Sequence, residues 1–304
     1  MSNPLVSIVV CAHRTDRLQD ILEAIDSLKA QSYHGIEIIT VIDGNPELYE
    51  KIRSLAEDPR ILVTFNEKNL GLSESRNKGL SMSKGDIIAF FDDDAIAGAN
   101  WIEELVKMYL DRDAIAAGGC ILPLWLGGEP MWLPQEFYWL VGATHKGFPE
   151  DVGEVRNTFG SNLSFKSDVL RSLGGFRGEM GVKAKGQLQS EETEICDRMK
   201  DKFGKGVVYN NKAIVHHKVF PERLKWRFLL GRAFWQGYSK RVMMEMGHSL
   251  EEEGKFMKTV QNGVIERVKS GSLTKYCQLA ILLVLTSAVG LGYAYRALRS
   301  PFLS

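Results

Sequence analysis

Asp86-Ile87-Ile88-Ala89-Phe90-Phe91-Asp92-Asp93-Asp94 decides how this chain is read: an apolar run that ends abruptly in three consecutive carboxylates. Like charges crowded at a strand tip repel one another unless a divalent cation or protein donors fill the space in front of them. Two readings of the triplet stand: a seat for a metal that carries phosphates, and a solvated acidic turn leading into a helix that starts near Asn100. The rest of the chain has to choose between them.

Upstream, strand and helix signals alternate. Val6 to Val10 is a β-branched run, Leu18, Ile21, Leu22, Ile25 and Leu28 recur at helical spacing, and Ile36 to Ile42 is a second apolar run. A helix over about 47–56, a short strand Ile61 to Phe65 and a helix ending near Lys84 lead into the strand that carries the aspartates. Such alternation predicts an α/β domain with a mostly parallel central sheet flanked by helices, whose ligands sit outside the carboxyl ends of the strands. Ala12-His13-Arg14 and Asp43-Gly44-Asn45 fall at that edge together with the aspartate triplet. Neither a G-x-G-x-x-G after the first strand nor a G-x-x-x-x-G-K-[ST] is present, so a phosphate must be held by other means.

The 304 residues suffice for one large α/β domain, and 38 Lys and Arg balance 38 Asp and Glu. There is no global basic field to argue for nucleic acid and no acidic excess to argue for disorder. Cys11, Cys120, Cys196 and Cys277 show no C-x-x-C spacing and no charged, apolar leader opens the chain, which predicts free thiols in a reducing compartment. Toward the C-terminus, Tyr276 to Tyr295 contains no charged residue and is bracketed by Lys275 and Arg296. That length and its terminal tyrosines predict a transmembrane or membrane-embedded helix over 273–298, with a buried soluble helix as the alternative. Before it, 223–272 reads as a helical extension in which cations and aromatics mix between Leu224 and Arg241, as on interfacial helices. Trp125, Pro130, Trp132, Pro134, Phe137, Tyr138 and Trp139 crowd one segment, suited to a sugar face, a lipid boundary or plain packing.

Taken in order, Val6-Ser-Ile-Val-Val10, Ile42-Asp43-Gly44, Asn69-Leu-Gly-Leu-Ser-Glu-Ser-Arg76-Asn77-Lys-Gly79, Phe91-Asp92-Asp93-Asp94, Gly160-Ser-Asn162, Gly174-Gly175-Phe176 and Glu191-Glu192-Thr-Glu194 resemble the family 2 glycosyltransferases of the GT-A fold. The resemblance spans roughly residues 5–220 and is specific because the motifs recur in this order. It implies a nucleotide-diphospho-sugar transferase domain over 1–222. It also implies a role for each motif. Asp43 would read the nucleotide base, or else serve only as a turn aspartate before Gly44, and Arg76 would lie near the nucleotide, or else in a surface salt bridge. Asp92 would face the ribose or the metal, with Asp93 beside it, and Asp94 would ligate Mn2+ or Mg2+.

Alternation from Tyr209 puts His217 on the same face as Ala213 and Val215 while His216 points away, and His217 stands at the position matching the family's H-x-V, which implies a histidine ligand, with a satisfied core or surface histidine as the alternative. The general base would be Glu192, with Glu191 open as the alternative, since relatives usually read Glu-Asp here; a Glu-rich helix start is also ordinary capping chemistry. Cys11-Ala12-His13-Arg14 departs from the family's usual Pro-Thr-Tyr-Asn, so base contacts at Ala12, His13 and Arg14 rest mainly on backbone and UDP is less firmly indicated than a nucleoside diphosphate.

The motifs look most like archaeal enzymes that extend dolichyl-phosphate-linked glycans, including glucuronosyltransferases. The implied protein is a metal-dependent, inverting transferase at the cell membrane, its catalytic domain cytoplasmic. It would take a nucleoside-diphosphate sugar, with a UDP-sugar and UDP-glucuronate as the finer expectations, and a lipid-linked glycan acceptor, with no nucleic-acid partner. A uronate would need a cation such as Arg156 or Lys183. Transfer to a non-lipid polysaccharide, a nucleotidyltransferase and a non-catalytic sugar- or lipid-binding subunit are the competing readings.

Overall fold

The computed structural model describes residues 3–178, 190–249 and 251–299. Its elements run β1 (Val6–Ala12), α1 (Leu18–Lys29), β2 (Ile36–Asp43), α2 (Pro46–Leu55), β3 (Ile61–Asn66), α3 (Leu72–Met82), β4 (Ile87–Asp92), β5 (Ala95–Ala97), α4 (Trp101–Asp111) and β6 (Ala116–Trp125). They continue with β7 (Gly153–Val155), β8 (Leu163–Lys166), α5 (Ser167–Ser172), α6 (Glu191–Phe203), β9 (Val207–Val219), α7 (Trp226–Glu245), α8 (Glu251–Ser270) and α9 (Leu273–Arg299).

The strands form one mixed sheet in the order β3-β2-β1-β4-β8-β6-β9-β5, with β7 also paired to β9. β1 is parallel to β2 and β4, and β2 is parallel to β3, as the alternation of strands and helices predicts. The other half is antiparallel: β4 with β8, β8 with β6, and β9 with both β5 and β7. That half contains few crossover helices, so nothing in it enforces parallel pairing.

Period-2 alternation sends neighbouring residues to opposite faces of the sheet. Ile8, Val10 and Phe91 join Trp101 and Leu105 in one apolar layer, while Val9, Ile39 and Phe90 join Phe165, Ile195 and Met199 in the other. Helix α1 covers the sheet with Ile21, Ala24, Ile25 and Leu28. Asn45 caps α2 by accepting the Leu48 N–H at 3.0 Å, and Pro46 fills its first turn. At Gly79 of α3 a Cβ would lie 2.3 Å from Val9 Cγ1, so only glycine lets this helix sit down on β1.

The chain divides into two compact units, and the aromatic segment 123–148 groups with the residues from 218 onward. Within that second unit Leu133, Phe137 and Leu140 pack with Leu229, Ala233, Leu282 and Leu285. Trp132 stacks on Trp226 at 5.7 Å and Trp125 meets Tyr138 edge-on at 5.5 Å, so this segment is used for packing. Glu136, fully buried, accepts two hydrogen bonds of 2.8 Å from the Arg267 guanidinium.

A buried, bidentate pair of this kind is costly to break from one side only. Arg267→Met is expected to lower the stability of the chain by about 3–5 kcal/mol in urea unfolding, and the double change Glu136→Leu/Arg267→Met to recover most of it.

Candidate active site

Strand register alone brings four tips together at the carboxyl edge of the parallel strands. Ala12 pairs with Ile42, Cys11 with Asp92 and Asp43 with Asn66. Beyond Asp92 the chain turns through Asp93 and Asp94 into β5, where Ala95 lies opposite His217 of β9. That register explains how a residue more than a hundred positions away comes to face the triplet. His217 Nε2 lies 3.1 Å from Asp94 Oδ1. Ala213, Val215 and His217 are all buried, as the alternation along this strand predicts, while His216 is half-buried on the other face.

One ligand atom each from Asp92, Asp94 and His217 lies within 4.8 Å of the other two, a separation that a single ion between them can span. Two carboxylate oxygens and an imidazole nitrogen are a donor set for Mn2+ or Mg2+. Arg17, from the 3₁₀ turn after β1, reaches Asp94 Oδ2 at 3.0 Å. Arg14, the cation expected at this edge, is half exposed and tied to its neighbour Asp16. His13 is exposed, Ala12 is buried, and Asn45 Nδ2 donates to the His13 carbonyl at 3.0 Å.

Arg76 does not lie on the surface. Its guanidinium is buried, 3.0 Å from Glu192 Oε1, 3.8 Å from Asp92 Oδ1 and 4.0 Å from Glu191 Oε1, and it packs over the rings of Phe176 and Phe90. Burial works against its charge, but the carboxylates of Glu192, Asp92 and Glu191 outweigh that and keep it protonated. Burial also raises the Asp92 carboxyl above the usual carboxylate range, with Arg76 opposing the rise and Asp94 adding to it. Of the two acids at the start of α6, the Glu191 side chain is 5 % exposed and that of Glu192 is 19 % exposed, so Glu192 is the one open to a substrate. Glu194, fully buried, is instead clasped by Arg198 at 2.7 and 2.9 Å.

Asp43 accepts from Asn66 Nδ2 at 2.9 Å and from the Leu70 and Gly71 amides at 3.0 and 2.9 Å, so its carboxylate pins the loop that enters α3. Gly44, at φ +66, allows that loop to close over it: a Cβ there would lie 2.3 Å from the Asn69 nitrogen. The remaining motifs also have physical tasks. Asn162 accepts the Trp101 indole N–H at 2.8 Å and donates to the Ala213 carbonyl at 2.8 Å, locking α4 and β9 together. Asn77 exchanges two hydrogen bonds of 2.8 Å with the backbone of Phe176, which fixes the ring under Arg76. At Gly160 a Cβ would meet Arg76 Nη2 at 1.8 Å and Glu192 Oε1 at 2.5 Å.

Sequence reasoning missed Arg17 and Asn66. Arg17 lies three residues beyond Arg14, one 3₁₀ turn on, which was a readable signal. The bridge from Asn66 to both Asp43 and Ser75 had none. Arg156 is held by Asp197 at 2.8 and 2.6 Å, and Lys183 lies outside the described residues.

Three residues that could hold a divalent cation lie at the carboxyl edge of an α/β sheet with an arginine-held glutamate beside them, an arrangement that accords with the GT-A fold. The sequence over residues 7–174 matches the model of glycosyl transferase family 2, and the chain belongs to that family. It is 39 % identical over 298 residues to a glucosyl-dolichyl phosphate glucuronosyltransferase of Haloferax volcanii, with 95 % of each chain covered. Among solved structures it resembles the mannosyltransferase PcManGT of Pyrobaculum calidifontis, in complex with GDP-Man and Mn2+. The TM-score is 0.64 at 15 % identity, covering 99 % of this chain and 89 % of that one. TarS of S. aureus, in complex with UDP, matches with a TM-score of 0.54 at 14 % identity, covering 96 % and 91 %. The protein is a glycosyltransferase, which sets aside the nucleotidyltransferase and non-catalytic readings.

Burial pushes the Cys11 thiol, beside Asp92, up to about 12, so it stays protonated well above neutral pH. Alkylation at pH 8 followed by peptide mapping is therefore expected to modify the exposed Cys277 and to leave Cys11 intact.

Proposed function

We propose that this glycosyltransferase is metal-dependent and inverting, and that it moves a sugar from a nucleoside-diphosphate donor to a polyprenyl or dolichyl phosphate-linked acceptor at the cytoplasmic face of the cell membrane. The observation that carries this reading is the meeting of Asp92, Asp94 and His217 within 4.8 Å, at the same edge as Glu192 on Arg76. Those three residues would hold Mn2+ or Mg2+, which neutralises a leaving diphosphate. Arg17, already on Asp94, offers a guanidinium to the phosphates.

Glu192 takes the proton of the acceptor hydroxyl, with Arg76 orienting the carboxylate and the buried Glu191 in support. Attack on the anomeric carbon forms the new glycosidic bond as the bond to the diphosphate breaks, which inverts the configuration. Asp43, whose oxygens still have acceptor capacity beyond the three donors they hold, reads the base together with the backbone of Ala12, His13 and Arg14, and Asp92 would face the ribose or the metal with Asp93 beside it. The name of the Haloferax relative supports transfer of a glucuronosyl group to a dolichyl phosphate-linked acceptor. The apolar α9 supports attachment to a membrane.

A panel of nucleotide sugars titrated against the purified chain, with and without Mn2+, tests nucleotide, sugar and cation together. Tight binding of a UDP-sugar that needs the metal is expected, and metal-indifferent binding or transfer overturns the assignment of Asp94. Glu192→Gln is expected to lower kcat by about 10²–10⁴-fold while the donor Kd stays nearly unchanged. Arg17→Ala should raise the donor KM by about tenfold and leave that of the acceptor alone, as steady-state kinetics with both substrates would read.

A further inference from the structure

Helix α9 is long and apolar enough to cross a bilayer, with a mean hydropathy of 1.8 over an 18-residue window of which 22 % is buried. Its neighbour argues against that orientation. At Gly237 of α7 a Cβ would lie 1.9 Å from the Val289 carbonyl oxygen, and at Gly292 of α9 one would lie 1.8 Å from that of Phe234. Arg241 reaches Tyr293, and Arg296 reaches Glu245 at 2.7 Å. The partners 237 with 289, 241 with 293 and 245 with 296 ascend together, so the two helices run parallel, with offsets from 51 to the 58 of Phe234 with Gly292. Leu229 and Ala233 share a core with Leu282, Leu285 and Ala288, which extends the seam toward the start of both.

Those offsets set Arg232 between 283 and 290 and Arg227 between 278 and 285, both within the uncharged run 276–295, with Lys240 and Arg241 toward its end. If α9 stood across the membrane, α7 would stand beside it with Arg227 and Arg232 at hydrocarbon depth and Lys240 and Arg241 close behind, an arrangement that bilayers resist. The exposed side of α9 tells the same story from the other direction. Leu273, Tyr276, Leu283, Leu291, Tyr295 and Leu298 lie 38–88 % open to solvent along one stripe of about 37 Å, free of charge between Lys275 and Arg296. The exposed side of α8 carries Lys255, Lys258, Glu266 and Lys269.

We propose that α9 does not span the membrane but lies in its plane, the stripe sunk into the boundary between headgroups and acyl chains, with α7 on the water side. The occupant is a lipid surface: tyrosines sit at both ends of the stripe and Arg299 lies 4.6 Å over the Tyr295 ring, the pattern that suits an anionic headgroup layer. This placement of α9 is independent of the donor and acceptor.

The test uses the full chain with vesicles of phosphatidylcholine and phosphatidylglycerol. A bimane label is carried by Cys277, or by Val284→Cys, Leu291→Cys or Leu298→Cys in a Cys277→Ser background, and its depth is read with lipids brominated at different acyl positions. Equal, shallow depth at all four positions is expected. Val284→Cys deepest, with shallow ends, overturns the proposal in favour of a spanning helix. No vesicle-dependent change, together with a dimer in ultracentrifugation, overturns it in favour of a second copy covering the stripe. The double variant Leu283→Asp/Leu291→Asp alters only exposed positions, so its helix content and Tm should match the parent while vesicle association falls at least about tenfold. Undiminished association of that variant would also overturn the proposal.

Discussion

Four carboxylates, Asp92, Asp94, Glu191 and Glu192, meet at one sheet edge, and two guanidiniums hold them there. Without Arg76 the acids of α6 and the tip of β4 would face one another unscreened in a partly dry space. Arg17 does for Asp94 what Arg76 does for the others. The two arginines differ in one respect. Arg76 is sealed between Phe90 and Phe176 and belongs to the scaffold, whereas Arg17 sits on a short turn and has the metal-ligand candidate as its partner.

Much of what surrounds this edge exists to keep Arg76 in place. Asn77 fixes the backbone of Phe176, Arg198 donates to the carbonyls of Leu173 and Gly175, and Gly160 leaves room for the guanidinium. These residues come from three separate stretches of sequence, yet each makes sense only through the others. Asp43 has a similar double character: three donors already satisfy it as a loop clamp, which positions the remaining acceptor capacity of its oxygens rigidly.

The parallel half of the sheet was legible because βαβ units write their strands as uninterrupted apolar runs and their helices as 3.6-residue repeats, and β1 to β4 appear within two residues of those runs. The antiparallel half was not, since β5, β7 and β8 span only three or four residues each and owe their pairing to distant partners. At the site, Asp94 and His217 could be named from alternation and motif, and register supplied their contact. Of the two readings of Arg76, its burial excludes the surface salt bridge, and its partners were not legible because nothing local to Asn69–Gly79 encodes Phe176 or Glu192. Likewise the pairing of Glu136 with Arg267 joins residues 131 positions apart, a distance over which sequence pattern carries no charge complementarity.

The glycines at 237 and 292 let two helices touch backbone to backbone, so that seam has no slack in either direction. Any added atom there must wedge the pair apart along its whole length, whereas the far side of α9 can exchange one oily residue for another at little mechanical cost. Variation in this helix is thus channelled outward: its outer surface is free to adapt to the thickness and chemistry of whatever it rests on, while the inner seam must stay as it is.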